Sequence, residues 1–144
     1  MAAVAAGGSA GAAAPYGGAR VVRFHVAAGE EPDKRAAVMV WALHGSCLVW
    51  VGPAGLPAQV PHLVSGALNR LERGPVATTV AGDLAQGGGS SSTTGGAEAA
   101  HGMAKRLALK CKQVVHVSCA VPSTELALLR AVERRVVAEL EALG

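Results

Sequence analysis

The sequence predicts an α/β domain of the α+β type, in which antiparallel β-sheets are flanked by amphipathic helices. Three observations carry that prediction. Several short segments alternate their apolar residues with the period of two that a half-buried strand requires. Two consecutive apolar runs are separated by only three residues, one of them Gly, as in a β-hairpin. Three longer segments repeat apolar residues at i, i+3, i+4 and i+7, the spacing of a helix that buries one stripe. At 144 residues the chain suits one domain with a core of its own.

Residues 1–19 are dominated by Ala and Gly, show no packing pattern and read as a disordered tail, so the single domain spans 20–144. Residues 20–26 (R-V-V-R-F-H-V) put Val22, Phe24 and Val26 on one face of a strand and Val21, Arg23 and His25 on the other. Gly29, Pro32 and the charges of residues 27–35 turn the chain. The runs 36–43 (A-A-V-M-V-W-A-L) and 47–51 (C-L-V-W-V) then form the hairpin, joined by His44, Gly45 and Ser46. Its first strand is apolar on both faces, with Val38, Val40 and Ala42 pointing one way and Met39, Trp41 and Leu43 the other. Helices of the same chain cover one such face, so the second expects another sheet layer or a partner protein.

After a Gly and Pro loop at 52–57, Val60, Leu63, Val64, Ala67, Leu68 and Leu71 follow the helical series, with Pro61 in the first turn and Gly74-Pro75 as the stop. Residues 76–80 (V-A-T-T-V) are rich in β-branched side chains and read as a strand. Residues 86–96 (Q-G-G-G-S-S-S-T-T-G-G) read as a flexible spacer. A second helix follows from Ala100, Met103, Ala104, Leu107, Ala108 and Cys111, and 113–119 (Q-V-V-H-V-S-C) supply a fifth strand. Pro122-Ser123 open the last helix, with Glu125 in its first turn and a core stripe of Leu129, Val132, Val136, Leu140 and Leu143.

The chemistry of catalysis leaves little trace here. Gly52 to Gly55 is a Gly loop between an expected strand and an expected helix, and it lacks the G-K-[ST] of a phosphate-binding loop. The five His are scattered singly, without metal-ligand spacing; Asp83 is the sole acidic residue between Arg73 and Glu98, so no carboxylate pair for acid-base work stands near it, and neither Ser46 nor Ser118 has a G-x-S-x-G elbow around it. An enzyme is therefore not expected, nor a cofactor or metal. A net charge of +3 is too small, and the aromatics too few and too embedded in apolar runs, for a nucleic-acid platform. No apolar run reaches the length of a membrane span and no secretory leader is visible. The three Cys show no C-x-x-C spacing and read as reduced, buried thiols. A cytoplasmic protein, with access to the nucleus, is the expectation.

Five segments in order resemble the proteasome assembly chaperone four family: L-V-W-V-G at 48–52, P-V-A-T-T at 75–79 ahead of Gly82-Asp83, G-M-A-K-R-L-A-L-K at 102–110, K-Q-V-V-H-V-S at 112–118 and V-E-R-R at 132–135. The similarity runs from about Val38 to Leu143 and leaves out the Ala and Gly tail, the charged turn at 29–35 and the spacer at 86–96. It implies that fold, heterodimerisation with proteasome assembly chaperone three, and binding of the pair to proteasome α-subunits during assembly of the α-ring of the 20S particle, with no cofactor. The candidate partner-binding residues are Met39, Trp41 and Leu43 on the hairpin and Lys105, Arg106 and Lys110 on the basic face of the second helix. A longin-like or roadblock-like trafficking scaffold, which also builds dimers from small α/β domains, is the alternative class.

Overall fold

The computed structural model describes residues 19–29, 34–55, 60, 62–69, 71, 74–82, 91–122 and 124–143. The expected tail therefore lies outside the described residues, apart from Ala19. The chain runs β1 (Arg20–Ala27), β2 (Arg35–Leu43), β3 (Ser46–Pro53), β4 (His62–Asn69), β5 (Gly74–Gly82), α1 (Ser91–Cys111), β6 (Val114–Cys119) and α2 (Leu126–Leu143). This is an α+β arrangement: one six-stranded sheet in the order β1-β2-β3-β6-β4-β5, mostly antiparallel, with two helices. Only β3 and β6, at its centre, pair in parallel.

The first three strands form where the alternation put them. β1 and β2 pair from Arg20↔Ala42 to Ala27↔Arg35, with Gly29 at φ +87° in the turn. β2 and β3 pair from Ala36↔Pro53 to Leu43↔Ser46, so the turn is the two residues His44 and Gly45. Gly45 sits at φ +76°, which a residue with a Cβ rarely adopts.

The helix expected over 60–71 is instead a strand, β4. It pairs with β5 along one edge and β6 along the other, so the ladder satisfies its backbone on both sides. His62, Val64 and Gly66 face the helices and are buried, whereas Leu68 and Leu71, two members of the expected stripe, are exposed. The helix α1 lies so close over Gly66 that a Cβ there would come within 2.5 Å of the Ala104 carbonyl oxygen. That approach needs a Gly and fixes β4 against α1. Beyond the strand, the Asn69 side-chain oxygen accepts the Leu71 N–H at 2.9 Å, so Asn69 and Gly74-Pro75 mark a hairpin rather than a helix stop. β5 pairs Thr79 with Val64 and Ala81 with Leu63, leaving Val80 as a bulge.

α1 also differs from expectation, beginning at Ser91, within the spacer expected at 86–96; residues 86–90 lie outside the described residues. Its stripe of Ala100, Met103, Ala104, Leu107 and Ala108 is fully buried, and the three small residues explain how it seats so near the sheet. It ends at Lys112, a non-Gly residue at φ +54°, whose N–H donates to the Ala108 carbonyl at 2.9 Å. Glu125 precedes α2 rather than lying in its first turn, and its carbonyl accepts the Leu129 N–H at 3.0 Å.

Both helices lie side by side on one face of the sheet. α1 packs on β4, β5 and β6, and α2 on β1 and β2. The core is the layer between: Phe24, Val38, Val40, Val49, Val51, Val64, Val115 and Val117 from the sheet, with Met103, Leu107, Leu129, Val132 and Val136 from the helices. Of the expected α2 stripe only Leu143 is incompletely buried. Glu133, a carboxylate, is buried with it. Among the described residues, no helix is long and apolar enough to cross a membrane.

Candidate functional site: the open face of the sheet

Because side chains alternate across a strand, burying Val38 and Val40 under the helices turns Met39 and Trp41 to the opposite face. The register carries that face across the sheet. One row runs Val21, Trp41, Leu48, His116, Ser65 and Thr78, and a second runs Arg23, Met39, Trp50 and Ser118. Among the described residues neither a second sheet nor a helix covers this face. Its centre is the block formed by the directly opposed pairs Met39↔Trp50 and Trp41↔Leu48.

The block is partly dry already. Met39, Trp41 and Leu48 are partly buried, and Trp50 is only 6% exposed. The reason lies two residues along β3, where a Cβ on Gly52 would come within 2.5 Å of the Trp50 ring. The indole therefore lies over Gly52. Beyond the block the same face shows Val114 and Val76, each 39% exposed, and Val80 at the bulge. Polar groups divide the apolar area: the Ser65 hydroxyl and His116 Nδ1 meet at 2.7 Å, and Ser118 sits buried beside Trp50 with its hydroxyl unpartnered among the described residues. His116 makes no other side-chain hydrogen bond among the described residues, and none of their carboxylates orients it as a base toward Ser65.

Of the expected partner-binding residues, Met39 and Trp41 thus lie together at the centre of the open face. Leu43 stands apart, 45% exposed at the end of β2, where it lines a cavity with Cys111, Val137 and Leu140. Lys105, Arg106 and Lys110 all lie on α1, on the other side of the molecule. Lys105 is exposed, while Arg106 donates from Nε to Glu133 Oε1 of α2 at 2.7 Å. Lys110 and Arg106 border a groove between the two helices. The basic residues therefore form a surface separate from the hairpin residues.

The sequence does not single out Trp50 and Leu48, because an apolar run does not reveal which of its members face outward. The Trp50-x-Gly52 spacing is the local signal that one aromatic lies down on a sheet. Elsewhere, His62 is buried with Nε2 unpartnered among the described residues, and burial first, then the nearby His101, lower its pKa. His101 Nε2 in turn meets the Thr79 hydroxyl at 2.8 Å. Among the described residues, no group of three or more His, Cys, Asp or Glu is placed to hold a metal ion. Cys47 and Cys119 are buried free thiols, their pKa values pushed up to about 12 and about 11 by desolvation, while Cys111 is partly exposed rather than buried. Comparison of the sequence with protein-family models and with curated proteins finds no match.

Proposed function

We propose that this chain is a non-catalytic interaction protein that docks a partner protein on the open face of its sheet. On the likeness of its five motifs, that partner is proteasome assembly chaperone three, and the pair assists formation of the α-ring of the 20S proteasome. The proteasome-assembly-chaperone-like fold is part of the same proposal. The observation that carries the reading is the Met39, Trp41, Leu48 and Trp50 block, an aromatic and apolar cluster across two neighbouring strands with no layer over it among the described residues. Aromatic residues and Met are enriched at the desolvated centres of protein interfaces, where a few large side chains supply most of the affinity. Docking there would leave the helix face free for an α-subunit, as a chaperone that both dimerises and holds a client requires.

The test is to mix the purified chain with proteasome assembly chaperone three and follow complex formation by size-exclusion chromatography and titration. Trp41→Asp is expected to weaken the complex by about thirtyfold or more, the loss typical of a buried interface anchor. Trp41 is only partly buried in the chain alone, so the variant should stay folded. A folded Trp41→Asp variant that binds as the natural chain does would remove the open face from the proposal, and a natural chain that ignores both chaperone three and the α-subunits would remove the chaperone reading itself.

A further inference from the structure

The second unexplained surface is the groove of about 650 Å³ between α1 and α2, on the far side of the sheet from the open face. Arg106 and Lys110 border it from α1, one turn apart, and Arg130 and Arg134 from α2, likewise one turn apart. Two carboxylates oppose these four cations, Glu98 and Glu133. Glu133 is buried and already taken by Arg106 at 2.7 Å. Among the described residues, Lys110, Arg130 and Arg134 have no ion-pair partner, so the groove holds a surplus of positive charge that the fold does not neutralise.

Two further features shape the groove. A Cβ on Gly102 would come within 2.9 Å of Arg106 Nη1, so the absence of a side chain at Gly102 leaves room for the guanidinium that pairs with Glu133 of α2. Leu129 and Ala99 give the floor apolar character, and Leu126 stands 59% exposed at the mouth. A large apolar side chain left in water beside unpaired cations is the complement of a segment that carries both an apolar residue and negative charge.

We infer that this groove docks an acidic peptide segment of a partner protein, with one apolar side chain seated against Leu126 and Leu129 and its carboxylates against Lys110, Arg130 and Arg134. A nucleic-acid strand fits the charge but not the floor, because the floor is aliphatic and none of the groove residues is aromatic. The inference stands independently of the open face and of the chaperone reading, since it rests on residues of the helices alone.

Fluorescence anisotropy on the full chain tests it, with a short labelled peptide of glutamates around a central leucine as probe. The same peptide with glutamines for glutamates, and a labelled single-stranded oligonucleotide, serve as competitors for the interpretation. The glutamate peptide is expected to bind and to weaken as salt rises. Arg130→Glu with Arg134→Glu should weaken it by about tenfold or more, because each exposed attraction becomes a repulsion. Leu126→Ser should weaken it by about threefold or more through lost apolar burial. All these side chains are exposed, so the folded chain persists in each variant. Absent binding, equal binding of the glutamine peptide, tighter binding of the oligonucleotide, or an unchanged affinity in either groove variant would overturn the inference.

Discussion

Replacing Gly66 by Ala has opposite consequences in the helix that the spacing of residues 60–71 suggests and in the strand β4. In that helix, Gly66 would be an interior residue, and Ala would stabilise the protein by about 1 kcal/mol. In the strand β4, the new Cβ meets backbone: 2.5 Å from the Ala104 oxygen, 2.7 Å from the Ala104 carbonyl carbon and 2.9 Å from the Ala104 Cβ. Ordinary contact begins near 3.4 Å, so α1 must retreat by the better part of an ångström from β4. Such overpacking costs about 1–3 kcal/mol. The small conformational gain of Ala over Gly in a strand, about 0.5–1 kcal/mol, offsets only part of it. A drop in melting temperature of several degrees follows for a domain of this size, with a matching fall in the urea midpoint. Because the nearest contact is main chain, Ala104→Gly should not rescue the variant fully. Thermal and urea unfolding measure both changes, and a Gly66→Ala protein more stable than the natural one would refute the packing of α1 on β4.

Lys112 holds a left-handed conformation at the end of α1 that Gly adopts without penalty, so Lys112→Gly should stabilise the chain by about 0.5–1 kcal/mol, read from urea unfolding. His62 has its folded pKa held below the ordinary value by burial and then by His101, so the unfolded chain takes up the proton first. The stability present above about pH 6.5 should therefore fall as pH drops below it, and His62→Leu should lessen that fall between pH 7.5 and 5.5. Thiol labelling of the native chain at pH 8 should modify Cys111 alone, since Cys47 and Cys119 are buried thiols with strongly raised pKa values, whereas denaturant should release all three. Leu140, 9% exposed on the face of α2 that meets the sheet, should not tolerate Asp: loss of the cooperative thermal transition is expected, and an unchanged melting temperature would contradict its burial.

Strands flanked by compact turns were legible in the sequence because alternation and Gly placement are local signals. Gly45 in the hairpin and the alternation of Val38 and Val40 against Met39 and Trp41 needed nothing from distant residues. β4 was not legible, because in H-L-V-S-G-A-L-N the pairs Leu63 with Ala67 and Val64 with Leu68 are four apart, which suits one face of a helix and one face of a strand alike. What decides between them is tertiary: two free strand edges, β5 and β6, and a helix backbone pressing on Gly66. The start of α1 in a Gly, Ser and Thr stretch was hidden for a similar reason, since those residues have weak helix propensity of their own.

The candidate surfaces were legible in part. Apolar residues on both faces of β2 announced an exposed apolar face, and the structure places Met39 and Trp41 there. That Trp50 joins them depends on the bare backbone of Gly52, and that the basic face of α1 is half of a groove depends on Arg130 and Arg134 arriving from α2. Neither relation exists until the strands and helices are assembled.

The open face is tested most directly by the accessibility of Trp41. A Trp50→Phe variant leaves Trp41 as the single tryptophan, and acrylamide quenching of its fluorescence reports how far solvent reaches it. Quenching of the chain alone should be substantial and should fall sharply once proteasome assembly chaperone three is bound. Quenching that is unchanged in a complex shown to have formed would mean that the partner sits elsewhere, and the open face would lose its proposed role.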